Sequence, residues 1–148
     1  MTGISYHNSP NLPHSHLPFS PAVRFGNLVF VSGQASVDRT GKIVDDSFEG
    51  EMRRSIENLR AVLEGVGSGL EHVVQTRNYV RYAEDLSAYN ALYTEYFQAP
   101  FPARTTITNC LSGTLKYEIE CIAAVPDVGD RRHPPGHKTA ATISFSRV

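Results

Sequence analysis

Arg104 is the residue whose type and setting most suit chemistry. It lies in Phe101-Pro102-Ala103-Arg104-Thr105-Thr106, where a preceding proline and following β-branched residues favour extended backbone and present a guanidinium fork at a fixed place. Such a fork suits a carboxylate held through two parallel hydrogen bonds. Lys116-Tyr117-Glu118-Ile119-Glu120-Cys121 supplies the opposite charge. Glu118 and Glu120 share one strand face, and the Ile, Cys and Ala around Glu120 point to partial burial, which raises a carboxyl pKa toward neutrality. A plainer reading of the same residues pairs Arg104 with Glu120 or Glu118 as an internal ion pair.

Ser32 and Gly33 end an apolar run. A hydroxyl and a bare backbone amide there could meet a small anion, although Ser-Gly also ends many strands. Asn90 lies between Tyr89 and Tyr93, where a polar residue either faces a site or bonds a neighbouring loop. The tyrosines read as core. His14 with His16, and His133 with His137, lack the carboxylate or cysteine company of a metal site. There is no phosphate-cradling glycine loop, nucleophile elbow or dinucleotide fingerprint. Cys110 and Cys121 read as reduced, buried thiols that could face each other across a hairpin.

The elements that must position these residues follow from periodicity. Asn27 to Gln34 reads as a strand buried on both faces, and Lys42 to Val44 returns after a turn at Asp38 to Gly41. Phe48, Met52, Ile56, Leu59, Leu63 and Val66 mark an amphipathic helix that ends by Gly67, with Asp46 and Glu49 as its capping box. His72 to Tyr82 is a strand with Val74, Thr76, Asn78 and Val80 on one face. A second helix starts at Asp85, carries Leu86, Tyr89, Tyr93 and Tyr96 or Phe97 on one stripe, and stops before Pro100 and Pro102. Strands at Arg104 to Asn109 and Lys116 to Val125 are joined by a turn at Ser112-Gly113. The order ββαβαββ predicts one sheet with both helices on one face, and the uncovered face calls for oligomerisation. Residues 1–17 read as an extended lead and 18–126 as the domain. Residues 127–148 are an extension in which Ala141, Ile143 and Phe145 alternate as an added strand would.

With 148 residues, 41% hydrophobic and 20% charged, one globular domain is expected. No apolar stretch is long enough for a bilayer, and the Pro/His-rich start lacks the apolar core of a signal peptide. Cytoplasmic location is therefore the expectation. A net charge of -1 and a pI near 6.6 give no footprint for nucleic acid.

Together, Phe19-Ser20-Pro21-Ala22-Val23, Gly26 through Gln34, Tyr89-Asn90, Phe101 through Thr105 and Glu118 through Ala123 resemble, in order, the successive signatures of the Rid (YjgF) reactive-intermediate deaminase family. The resemblance runs from about Pro18 to Pro126. It implies an α+β, chorismate-mutase-like fold, a mixed sheet with two helices on one face, and a homotrimer with three clefts between subunits. It also implies hydrolysis of 2-imino acids to 2-oxo acids and ammonia without cofactor or metal. In that reading Arg104 grips the substrate carboxylate and Glu120 orients or activates water. Phe19, Ser32, Gly33, Asn90 and Thr106 line the pocket, with Phe19 where many members carry Tyr and Thr106 where many carry Cys or Thr. The alternatives are a non-catalytic small-carboxylate binder and, last, the ribonuclease or translation inhibitor of another family label.

Overall fold

The three-and-four spacing of Phe48, Met52, Ile56, Leu59 and Leu63 winds Phe48–Gly65 into helix α1, and all five side chains are buried. Ser47 caps the helix, its Oγ accepting from the Gly50 N–H at 3.2 Å. Asp46, expected in that role, instead accepts from the Ser47 N–H and from Arg54. In a computed structural model that describes residues 3–8 and 15–127, the order is β1 (Ile4–His7), β2 (Ala22–Phe25), β3 (Leu28–Ala35), α1, β4 (Val73–Val80), α2 (Leu86–Tyr96), β5 (Ala103–Thr108) and β6 (Tyr117–Ala124). No described helix is long and apolar enough to cross a membrane. His14, His133, His137 and the strand expected around Ile143 lie outside the described residues.

The six strands form one mixed sheet in the order β1-β2-β3-β6-β4-β5. The crossover through α2 makes β4 and β5 parallel, and the other pairings are antiparallel. Both helices pack on one face: α1 lies over β3 and β6, and α2 meets the same layer through Tyr89 and Tyr93, which reach Tyr117 and Thr76.

Several sequence expectations change in detail. The strand at Leu28–Ala35 is buried on one face only, because Val29 and Val31 are inside whereas Leu28 and Phe30 are 40% and 44% exposed. A bulge at Val74 reverses the alternation of β4, so Val73 rather than Val74 joins Thr76, Asn78 and Val80 inside. Lys42 to Val44 makes only an isolated bridge, Val37 to Ile43. The Asp38 carboxylate gathers the N–H groups of Thr40 and Lys42 and closes a turn in place of a ladder. Cys110 and Cys121 do not face each other across a hairpin: β5 and β6 are separated by β4, and both thiols are free. Strands β1 and β2 extend the sheet beyond β3, with β1 as its edge, and the weak patterning of residues 4–7 and 22–25 did not reveal them.

The loop before β6 is fastened to α1 by a fully buried carboxylate. Glu51 accepts from the Lys116 N–H at 3.2 Å and from Lys116 Nζ at 2.9 Å, and Nζ also reaches Asp45 at 2.7 Å. Removing Lys116 leaves the buried Glu51 carboxylate without its cation, whereas Lys116 without Glu51 keeps Asp45. Lys116→Ala is therefore expected to lower unfolding free energy by about 3 kcal/mol, read from urea unfolding; a change below about 1 kcal/mol would show that this clasp adds little to stability.

Candidate functional site

The site residues fall into two groups, and strand alternation separates them. Arg104 and Thr106 on β5 stand in register with Thr76 and Asn78 of β4 and project toward α2. There the Arg104 guanidinium sits in a notch between two rings, with its carbon 4.9 Å from the centroids of both Tyr89 and Tyr93. Its Nη1 donates to Asn90 Oδ1 at 2.9 Å, and the Asn90 amide donates in turn to the Leu86 carbonyl at 3.0 Å, which fixes its orientation. The Thr106 hydroxyl bonds Tyr89 Oη at 2.7 Å. Arg104 is exposed and, among the described residues, forms no ion pair. The internal pair with Glu118 or Glu120 is therefore absent; those residues lie on the far side of β4 and on the opposite face of the sheet.

That opposite face carries the second group. Between Val31 and Gln34 a bulge sets Ser32 and Gly33 against the single residue Glu120 of β6. The Ser32 hydroxyl donates to the Ser20 carbonyl at 2.6 Å, tying β3 to the segment that carries half-exposed Phe19. Gly33 lies directly under Glu118, and a methyl group at its Cα would overlap the Glu118 carboxylate. Burial, and then the charge of Glu120, raises the Glu118 pKa above its ordinary value. Glu120 stands opposite Arg77 of β4 and accepts a short hydrogen bond from the Tyr79 hydroxyl. That bond, with burial adding to it, pushes the Tyr79 phenol up to about 12, so Tyr79 stays a donor.

Residues 9–125 match the family profile described as Endoribonuclease L-PSP. The chain belongs to the Rid/YjgF family. It is 34% identical over 120 residues to a 2-iminobutanoate/2-iminopropanoate deaminase of Dermatophagoides farinae, covering 80% of this chain and 94% of the relative. It is 40% identical over 114 residues to the mitochondrial protein mmf2 of Schizosaccharomyces pombe, covering 72% and 87%. A crystal structure of a putative endoribonuclease from Thermotoga maritima superposes with a TM-score of 0.76 at 33% identity, covering 83% of this chain and 98% of that one. The mixed sheet with two helices on one face is thus the Rid fold.

On this Rid scaffold the structure brings Arg104, Asn90 and Thr106 together, and separately brings Ser32 and Gly33 to Glu118 and Glu120. Three contributors escaped the sequence reading: Tyr79, the two-tyrosine notch, and the proton-holding environment of Glu118. The tyrosine pair had a signal, since Tyr89 and Tyr93 flank Asn90 at one-turn spacing on the helix preceding Pro-Ala-Arg. Tyr79 had none, because no local pattern shows that Glu120 of β6 stands within reach of its hydroxyl.

Gly33→Ala displaces only the flexible end of Glu118. Its unfolding free energy is expected to stay within about 1 kcal/mol of wild type, while Glu118-dependent activity falls by about tenfold. Full activity in this variant would show that the Glu118 position is not functional.

Proposed function

We propose that the chain is a 2-imino-acid deaminase, working in clefts shared between copies of a homotrimer in the cytoplasm, without cofactor or metal. The carrying observation is that Arg104 is exposed, preorganised by Asn90 and two rings, and unpaired by any described carboxylate. The uncovered sheet face supports assembly: Ile4, Phe25, Leu28 and Phe30 adjoin in register there, each 40% exposed or more, and a contiguous apolar band of this kind marks an interface. Packing that face on a second copy is a way to bring the carboxylates of one chain to the guanidinium of another. The names of the deaminase relatives agree with the chemistry.

Arg104 holds the substrate carboxylate, with Asn90 fixing the fork. Water held by Glu118 and Glu120 adds to the carbon of the protonated imine, one of its protons passing to a carboxylate. The carbinolamine then collapses: the carboxyl group returns its proton to the nitrogen, the C–N bond breaks with ammonia leaving, and the hydroxyl proton passes to the freed carboxylate, so that a 2-oxo acid remains. Glu118, whose proton affinity is raised, is the better proton carrier. Glu120, anchored by Tyr79, is the water holder. Ser32, Gly33 and Phe19 line the pocket, Phe19 as an apolar wall, and Thr106 sets Tyr89.

Two outcomes follow. With 2-iminobutanoate generated in situ by an amino-acid oxidase and catalase, wild type is expected to accelerate imine decay, and Arg104→Ala to lose about 100-fold or more in kcat/KM. No acceleration by folded wild type, with 2-oxobutanoate still bound, would make the protein a small-carboxylate binder, and RNA cleavage in its place would return the ribonuclease reading. In the pH profile, Glu118 must be ionised to take a proton, so kcat/KM is expected to climb with pH through a value above the ordinary 4.5. Glu120→Gln removes the neighbouring charge and moves that limb to lower pH; an unmoved limb would separate it from Glu118.

A further inference from the structure

Four polar side chains lie sealed between the sheet and α2. Tyr117 Oη donates to Asn78 Oδ1 at 2.6 Å, Asn78 Nδ2 donates to Thr76 Oγ1 at 3.0 Å, and Thr76 Oγ1 bonds Tyr93 Oη at 2.7 Å. Thr76, Asn78 and Tyr117 have no exposed surface, and Tyr93 is 3% exposed. Tyr117 and Tyr93 hold their protons, since burial raises both phenols, so the chain is neutral. Such groups are costly to bury unless bonded, and bonded they add little over matched apolar partners. A Val and a Phe would fill the same space as Thr76 and Tyr93. What the hydroxyls add is one fixed placement of the Tyr93 ring, and that ring is one wall of the notch holding Arg104.

We infer that Thr76 is a positioning residue for carboxylate recognition, acting through the Tyr93 ring on the Arg104 guanidinium. The inference rests on the reading of Arg104 as the carboxylate clamp. Thr76 is in register with Arg104 across β4 and β5, so sheet pairing sets one side of the guanidinium and the Thr76–Tyr93 bond sets the ring that covers it. The other wall, Tyr89, is held separately by Thr106. The two walls are thus fixed from two different strands, and a ring released from either lets the fork tilt away from a bidentate geometry.

The test is a double-mutant cycle on the assembled protein, reading 2-oxobutanoate affinity by calorimetry, kcat on 2-iminobutanoate and the melting temperature. Thr76→Val and Tyr93→Phe are each expected to weaken binding about threefold or more with kcat within about twofold. Thr76→Ser, which keeps the hydroxyl, should bind as wild type does. The double variant should bind no more weakly than the weaker single, because both cut one link. If Thr76→Val does not fold, Tyr93→Phe reads the same link by removing a single oxygen. Wild-type affinity in both folded single variants, or effects that multiply in the double, would overturn the inference while the clamp stands, provided Arg104→Ala fails to bind. Unchanged binding by Arg104→Ala would overturn the clamp reading and this inference with it.

Discussion

A strand shows alternate residues to opposite faces, and this sheet puts the Arg104 guanidinium on one face and the Glu118 and Glu120 carboxylates on the other. Arg104 points toward α2, whereas Glu118 and Glu120 point away from both helices, with β4 between the two strands that carry them. No side-chain rotation brings them together within a chain. The separation leaves Arg104 without a carboxylate partner among the described residues, its hydrogen bond going to Asn90. The second face carries the exposed apolar band, and in the proposed mechanism a second copy packed on that face would supply the other half of the site.

Each half is held by features that are poor choices for stability alone. The guanidinium notch depends on a buried polar chain where apolar side chains would pack as well. The carboxylate half depends on a bulge that breaks the β3–β6 ladder and on a glycine whose missing side chain makes room for Glu118. Two carboxylates on one strand face repel, and that repulsion adds to burial in raising the proton affinity of Glu118. Departures of this kind collect at functional sites.

Much of this was legible in the sequence. The spacing of Met52, Ile56 and Leu59 gave α1, and the strand–helix order gave a single sheet covered on one side. Arg104, Asn90 and the Ser32-Gly33 pair stood out by residue type, and the family signatures tied them to one another. What was hidden depended on pairing. The bulges at Val74 and at Ser32-Gly33 change which residues face which side, and a local pattern does not record a bulge. The α2 crossover that separates β5 from β6 turns an expected hairpin into strands that never meet, which removes the Cys110–Cys121 contact and the Arg104–Glu120 ion pair together. The raised proton affinity of Glu118 and the Tyr79–Glu120 bond have the same origin, since both are tertiary facts.

In the proposed mechanism one working site takes its guanidinium from one copy and its carboxylates from another. Co-assembling Arg104→Ala chains with Glu118→Gln chains tests it, because each variant is expected to be strongly impaired alone and a shared cleft would regain both intact halves at some interfaces. Unfolding and refolding the two variants together is expected to restore imine hydrolysis to a sizeable fraction of wild type, in assemblies of the same size. A mixed assembly of that size with no activity above its parents would place the whole site within one chain and contradict it.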